Sequence, residues 1–196
     1  LKSIFILLTR SDTYISKMIY LATADKYTHA SISFDKNLGS LYSFSRKKVD
    51  YPLPAGLIKE NLLKGYYEKC TAMPCALYEI KVPKKKYHQA KREVEKMYHN
   101  EEMYRYSIIG LILCKFGFAF PRKTHYFCSQ FVSEILQKNE ILDLPKEPSL
   151  MRPSDYMSVP ELTCLFEGTL DELLFEKQLA LMVEEQKMFS MDILAK

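Results

Sequence analysis

The chain has 196 residues, of which 47% are hydrophobic, 13% aromatic and 27% charged. That length supports one sizeable core in a single compact domain, and six Gly with nine Pro exclude a low-complexity or collagen-like chain. Twenty-eight basic against 24 acidic residues leave a net charge of +4; with no zinc spacing, recognition-helix pattern or RNP-like run, nucleic-acid binding is not expected.

In chain order, Lys2–Thr9 reads as a buried strand, because Ile4, Phe5, Ile6, Leu7 and Leu8 form an apolar run closed by polar residues. Ser11 or Asp12 can cap a short helix running to about Leu21. Thr28–Asp35 changes period: Ala30, Ile32 and Phe34 alternate with His29, Ser31 and Ser33, which predicts a strand with one dry and one wetter face. Lys36-Asn37-Leu38-Gly39 is a turn, and Ser40–Ser45 returns as the second strand of a hairpin. Lys47–Lys59, with Tyr51-Pro52-Leu53-Pro54 and Gly56, reads as an irregular crossing segment, and Cys75–Val82 as another strand.

Lys84–Asn100 is an amphipathic surface helix with Tyr87, Ala90, Val94 and Met97 on its apolar side. Tyr104–Phe116 is a second, more apolar helix stopped at Gly117; Ser107–Phe120 is too short to span a bilayer and carries Lys115, so a buried or surface-docked helix is expected. Cys128–Lys138 is the third helix. Ser154-Asp155 caps a short turn after a Pro-rich stretch, Leu162–Phe166 is a last strand, and Leu170–Phe189 is helical. The expected division is a body over residues 1–168 and a C-terminal helical extension over 169–196.

Cys70, Cys75, Cys114, Cys128 and Cys164 are odd in number and scattered, which argues against a disulfide scaffold and for a reducing compartment, the cytoplasm. The chain opens on Leu without a cleavable signal pattern; a segment upstream of it would alter that expectation. No Cys-x-x-Cys, His-Glu-x-x-His or Gly-rich phosphate loop occurs, so neither metal nor cofactor is expected.

Cys128 is the first residue to explain. Phe131, Val132, Ile135 and Leu136 form a core stripe, and a helix anchored by it holds Cys128 in its first turn, beside unpaired backbone N–H groups that stabilise a thiolate. The alternative is an inert buried thiol. Of the four histidines, His88 and His99 lie on the charged helix and His125 in the loop before Cys128. His29 is carried by a rigid strand on the face away from Ala30, Ile32 and Phe34, a suitable place for a base. For a third, orienting group, hairpin position favours Ser43, with Glu60 and Asp35 as carboxylate alternatives. Oxyanion donors are the Cys128 backbone N–H, with Tyr27 or Tyr126.

The segments Tyr27-Thr28-His29-Ala30-Ser31-Ile32-Ser33-Phe34-Asp35 and Tyr126-Phe127-Cys128-Ser129-Gln130-Phe131-Val132-Ser133-Glu134 resemble the circularly permuted papain-like group of the NlpC/P60 superfamily. That group includes bacterial YiiX/YycO-like proteins and relatives of lecithin:retinol acyltransferase. The resemblance covers roughly residues 1–166. It implies an α+β, circularly permuted papain-like fold, with an antiparallel sheet or partial barrel packed against helices. It further implies a Cys128 nucleophile and a His29 base acting on a peptide, amide or lipid-like substrate. Its third polar position falls on Leu41-Tyr42-Ser43-Phe44-Ser45. A cysteine hydrolase leads; an acyltransferase and a catalytically silent module on the same fold are the alternatives.

Overall fold

The computed structural model describes residues 1–10, 25–48, 51, 53–64, 67 and 72–194, with 184–194 described by their backbone alone. The expected helix after Ser11 and the thiol of Cys70 lie outside these residues.

The described chain is α+β. In order it forms β1 (Lys2–Thr9), β2 (His29–Ser33), β3 (Leu41–Arg46), β4 (Ala55–Glu60), β5 (Pro74–Val82) and α1 (Lys84–His99). There follow β6 (Arg105–Tyr106), α2 (Ile108–Lys115), β7 (His125–Tyr126), α3 (Cys128–Lys138), β8 (Thr163–Thr169) and α4 (Leu170–Leu194). Six strands make one antiparallel sheet in the order β4-β3-β2-β1-β5-β8, and β6 pairs β7 in a small parallel ribbon.

The apolar run of β1 puts it at the centre of this sheet. It pairs β2 from Phe5↔Ser33 to Thr9↔His29, and β5 from Lys2↔Val82 to Thr9↔Cys75. Both faces are covered. On one, Ile4, Ile6, Leu8, Ala30, Ile32 and Tyr78 pack with Tyr87, Ala90 and Val94 of α1 and Phe131, Val132, Ile135 and Leu136 of α3. On the other, Phe5, Leu7, Leu41 and Leu77 pack with Leu62, Tyr67, Met73, Leu170 and Leu173. Each large side chain so buried contributes about 1.5–3 kcal/mol.

Several expectations change. The face carrying His29 is not wet: Ser31, Ser33 and Ser43 are fully buried, because the second apolar layer covers them. The segment read as irregular contains β4, which begins after Pro54 and pairs β3 from Leu41↔Glu60 to Arg46↔Ala55; tertiary pairing and burial of Leu57 override the Pro and Gly signals. The second helix starts only at Ile108, where the Ser107 hydroxyl accepts from the Gly110 N–H at 3.2 Å, because residues 105–106 are drawn into the ribbon with β7. It ends as expected before Gly117, whose φ of +77° is open to glycine without a side-chain clash. The last strand runs on to Thr169 and feeds directly into α4, whose Leu170 and Leu173 belong to the second apolar layer.

Candidate active site

Strands β2 and β3 pair through Ile32↔Tyr42 and Ser33↔Leu41, whereas β2 continues beside β1 to His29 and β3 beside β4 to Arg46. The sheet therefore parts between the His29 end of β2 and the far end of β3. Helix α3 packs its apolar stripe on the sheet and brings its first residue, Cys128, to His29 at this opening. Phe127 takes the N-cap position with an extended backbone and no side-chain cap, so the first-turn N–H groups are not consumed by a capping side chain. The backbone N–H groups of Ser129 and Ala30 favour a negative charge on the Cys128 sulfur.

His29 stands between two anions. Its Nε2 lies 2.9 Å from Glu60 Oε1 and 3.3 Å from Ser31 Oγ, and the Cys128 thiol also acts on the ring. Burial alone would lower the His29 pKa; the Glu60 carboxylate and the hydrogen bond to Cys128 outweigh it and push it up to about 10. Burial would raise the Cys128 pKa, but the His29 imidazolium and the two backbone N–H groups hold it below the ordinary thiol value. Each group thus favours the charged form of the other. The imidazole side chain keeps 15% of its surface exposed, and Cys128 only 3%.

Glu60 is itself tightly held. Burial opposes its charge, yet His29 and the hydroxyls of Ser31 and Ser43 keep its pKa below the usual carboxylate range. Ser31 donates to Oε2 at 2.5 Å, Ser43 to Oε1 at 2.7 Å and Tyr67 to Oε2 at 3.2 Å. The carboxylate at the end of β4 is therefore the group on the ring. Ser43, the position favoured from the hairpin, braces Glu60 instead; its short side chain sits on β3, between the strands that carry the histidine and the carboxylate. Asp35 is spent on the β2–β3 turn, accepting from the N–H groups of Asn37 and Gly39.

The other histidines are elsewhere. His125 contacts Arg122 at 3.0 Å and Thr124 at 3.1 Å, while His88 and His99 are exposed on α1. Both phenols considered for the oxyanion are engaged: Tyr27 donates to Glu167 at 3.0 Å, and Tyr126 to the Lys123 carbonyl at 3.0 Å. Two other phenols feel Cys128: Tyr156, whose hydroxyl is bonded to the Ser129 carbonyl and to Ser133, and Tyr106, in the ribbon beside Tyr126. Burial first, then the negative charge of Cys128, raises the Tyr106 pKa well above the usual value. Its nearness follows from the β6–β7 pairing, which its place in an expected helix concealed.

The remaining described thiols differ. Burial pushes Cys75 up to about 12 and Cys114 up to about 11. Cys164 is exposed on the edge strand β8, so it is not a core residue. Among the described residues no group of three or more His, Cys, Asp or Glu is placed to hold a metal ion, and no helix is long and apolar enough to cross a membrane. Comparison with protein-family models, with curated proteins and with solved structures yields no match.

Proposed function

We propose that this chain is a thiol-dependent hydrolase of amide or ester bonds, built on the permuted papain-like plan of the NlpC/P60 superfamily. One observation carries the reading: a buried carboxylate and a helix-start thiol both act on the same imidazole. In this reaction the Cys128 thiolate attacks the substrate carbonyl carbon, and the tetrahedral oxygen takes hydrogen bonds from the Cys128 N–H and the Tyr106 hydroxyl. As the bond to the leaving amine or alcohol breaks, the His29 imidazolium gives it a proton, leaving a thioester. His29, now neutral, takes a proton from water as the water oxygen attacks the thioester. Collapse releases the acid and restores the thiolate–imidazolium pair. Glu60 stabilises the imidazolium and fixes the ring; Ser31, Ser43 and Tyr67 hold Glu60.

The coverage of Cys128 favours a second reading, a silent module in which the pair serves only structure. Intact-mass and peptide mass spectrometry after mixing with 4-nitrophenyl acetate separate the two, in a Cys70→Ser/Cys164→Ser background that removes the thiol exposed among the described residues and the one outside them. The hydrolase gains one acetyl group on Cys128 and loses it with time, and His29→Ala slows both phases. Absence of acetylation at Cys128 in the folded protein, or an unchanged rate in His29→Ala, refutes the hydrolase.

A further inference from the structure

The segment from α2 to the start of β7 presents a surface that the catalytic reading does not use. Of the eight residues of α2, only Gly110 and Cys114 are buried. Ile108, Ile109 and Ile112 are 47–57% exposed, and Phe116 and Phe118 that follow are each 64% exposed, with Phe120 beside them. An apolar stretch of this size on an eight-residue helix and its loop is far more than scattered surface leucines would explain.

The same segment carries positive charge unopposed by any acid of its own. Residues 103–133 contain Arg105, Lys115, Arg122 and Lys123 and neither Asp nor Glu. The segment thus sums to +4, less than the +6 of residues 81–92 but joined here to the exposed apolar side chains. All four cations are exposed, and none forms an ion pair with a carboxylate among the described residues. Lys115 lies over the Phe116 ring, 5.5 Å from its centre.

We infer that α2 and the loop through Lys123 form a docking surface for an anionic lipid bilayer, with Ile108, Ile112, Phe116 and Phe118 entering the headgroup–acyl boundary and Arg105, Lys115, Arg122 and Lys123 meeting the phosphates. The combination of apolar side chains and surrounding cations is what an interfacial element requires. A second copy of the chain is a poor occupant, because a two-fold contact would set four cations against four. Nucleic acid answers the charge but not the exposed isoleucines and phenylalanines. The inference rests on this surface and is independent of the hydrolase reading; its test reads binding alone.

The test is co-sedimentation with large unilamellar vesicles of phosphatidylcholine, alone or mixed with phosphatidylglycerol, at low and high salt. The full chain should bind the phosphatidylglycerol vesicles about tenfold or more tightly than the neutral ones, with binding weakened by salt. Phe116→Ser/Phe118→Ser and Lys115→Glu/Lys123→Glu should each lower that binding about tenfold or more. All four side chains are exposed, and circular dichroism should be unchanged. Because the chain has no Trp, Phe118→Trp supplies a single reporter whose emission should shift to the blue only with anionic vesicles. Failure to bind phosphatidylglycerol vesicles, or binding indifferent to both double variants, overturns the inference. So does a concentration-dependent dimer in sedimentation equilibrium that Phe116→Ser/Phe118→Ser abolishes, which assigns the face to a second copy.

Discussion

Glu60→Gln tests the central electrostatic claim with little change of shape. The amide retains an acceptor toward His29, and the Ser31 and Tyr67 hydroxyls can turn to accept from its new N–H donors, but the negative charge is gone. The rise of the His29 pKa from 6.5 to about 10 corresponds to roughly 5 kcal/mol of preference for the charged ring, at about 1.4 kcal/mol per pKa unit. The Glu60 charge is the largest cause of that rise, so at least half of it, about 2–3 kcal/mol, goes with Glu60, on the order of a 50-fold fall in the charged-pair population. The assay is the rate of iodoacetamide alkylation of Cys128, followed by peptide mass spectrometry from pH 5 to about pH 9, spanning the ordinary thiol range, with Cys164→Ser as background. In the parent the rate should persist well below that range; in Glu60→Gln it should drop by about that factor near neutrality and recover as pH rises. Ser43→Ala, which removes one hydroxyl donor from the carboxylate, should fall between the two, with a loss of a few-fold. An alkylation profile identical in parent and Glu60→Gln, with both folded by near-ultraviolet circular dichroism, refutes the reasoning.

Two stability measurements probe the same structure. For a group whose folded pKa is raised, as at His29, the stability is fully present below the ordinary value of 6.5 and is lost as pH rises through the folded value of about 10. For Cys128, lowered from 9.0, the contribution is present above 9.0 and is lost as pH falls through its folded value, so from that folded value (or 6.5, whichever is higher) up to 9.0 the two slopes oppose each other. Urea unfolding midpoints should therefore be nearly flat over that window in the parent, as far as this pair sets them, and decline with pH in Cys128→Ala; a flat profile in Cys128→Ala removes the His29–Glu60 pair from consideration. Gly56 probes the ribbon that holds Tyr106: a Cβ there would sit 3.0 Å from the Tyr104 carbonyl oxygen and 3.4 Å from Lys47 Cε. Gly56→Ala should cost about 1–3 kcal/mol in urea unfolding and slow Cys128 acetylation through the displaced phenol, whereas unchanged values for both show that the β4–β6 approach does not position Tyr106.

Local periodicity made much of the scaffold legible. The apolar run of Lys2–Thr9, the alternation around His29, the amphipathic face of Tyr87, Ala90, Val94 and Met97, and the stripe of Phe131, Val132, Ile135 and Leu136 all became the expected elements. The start of α3 at Cys128 and the place of His29 on a strand were readable for the same reason: each depends on neighbours within a turn or a few residues. Glu60 was not. It lies 31 residues from His29, at the end of a strand masked by Pro54 and Gly56, and its role comes from the cross-strand register and the burial of Ser31, Ser43 and Tyr67 around it.

The amino-acid order alone thus determined the repeat of each element and the chemical types available: a thiol at a helix start, an imidazole on a strand, carboxylates in reserve. Tertiary structure decided which carboxylate meets the imidazole, that the serine face lies under a second apolar layer, and that α2 stays on the surface. The reason is range. Backbone hydrogen bonding imposes periods of two and 3.6 residues that any short window reveals, whereas the partner of a buried charge is chosen by desolvation and distance between segments far apart in the chain, which no window contains.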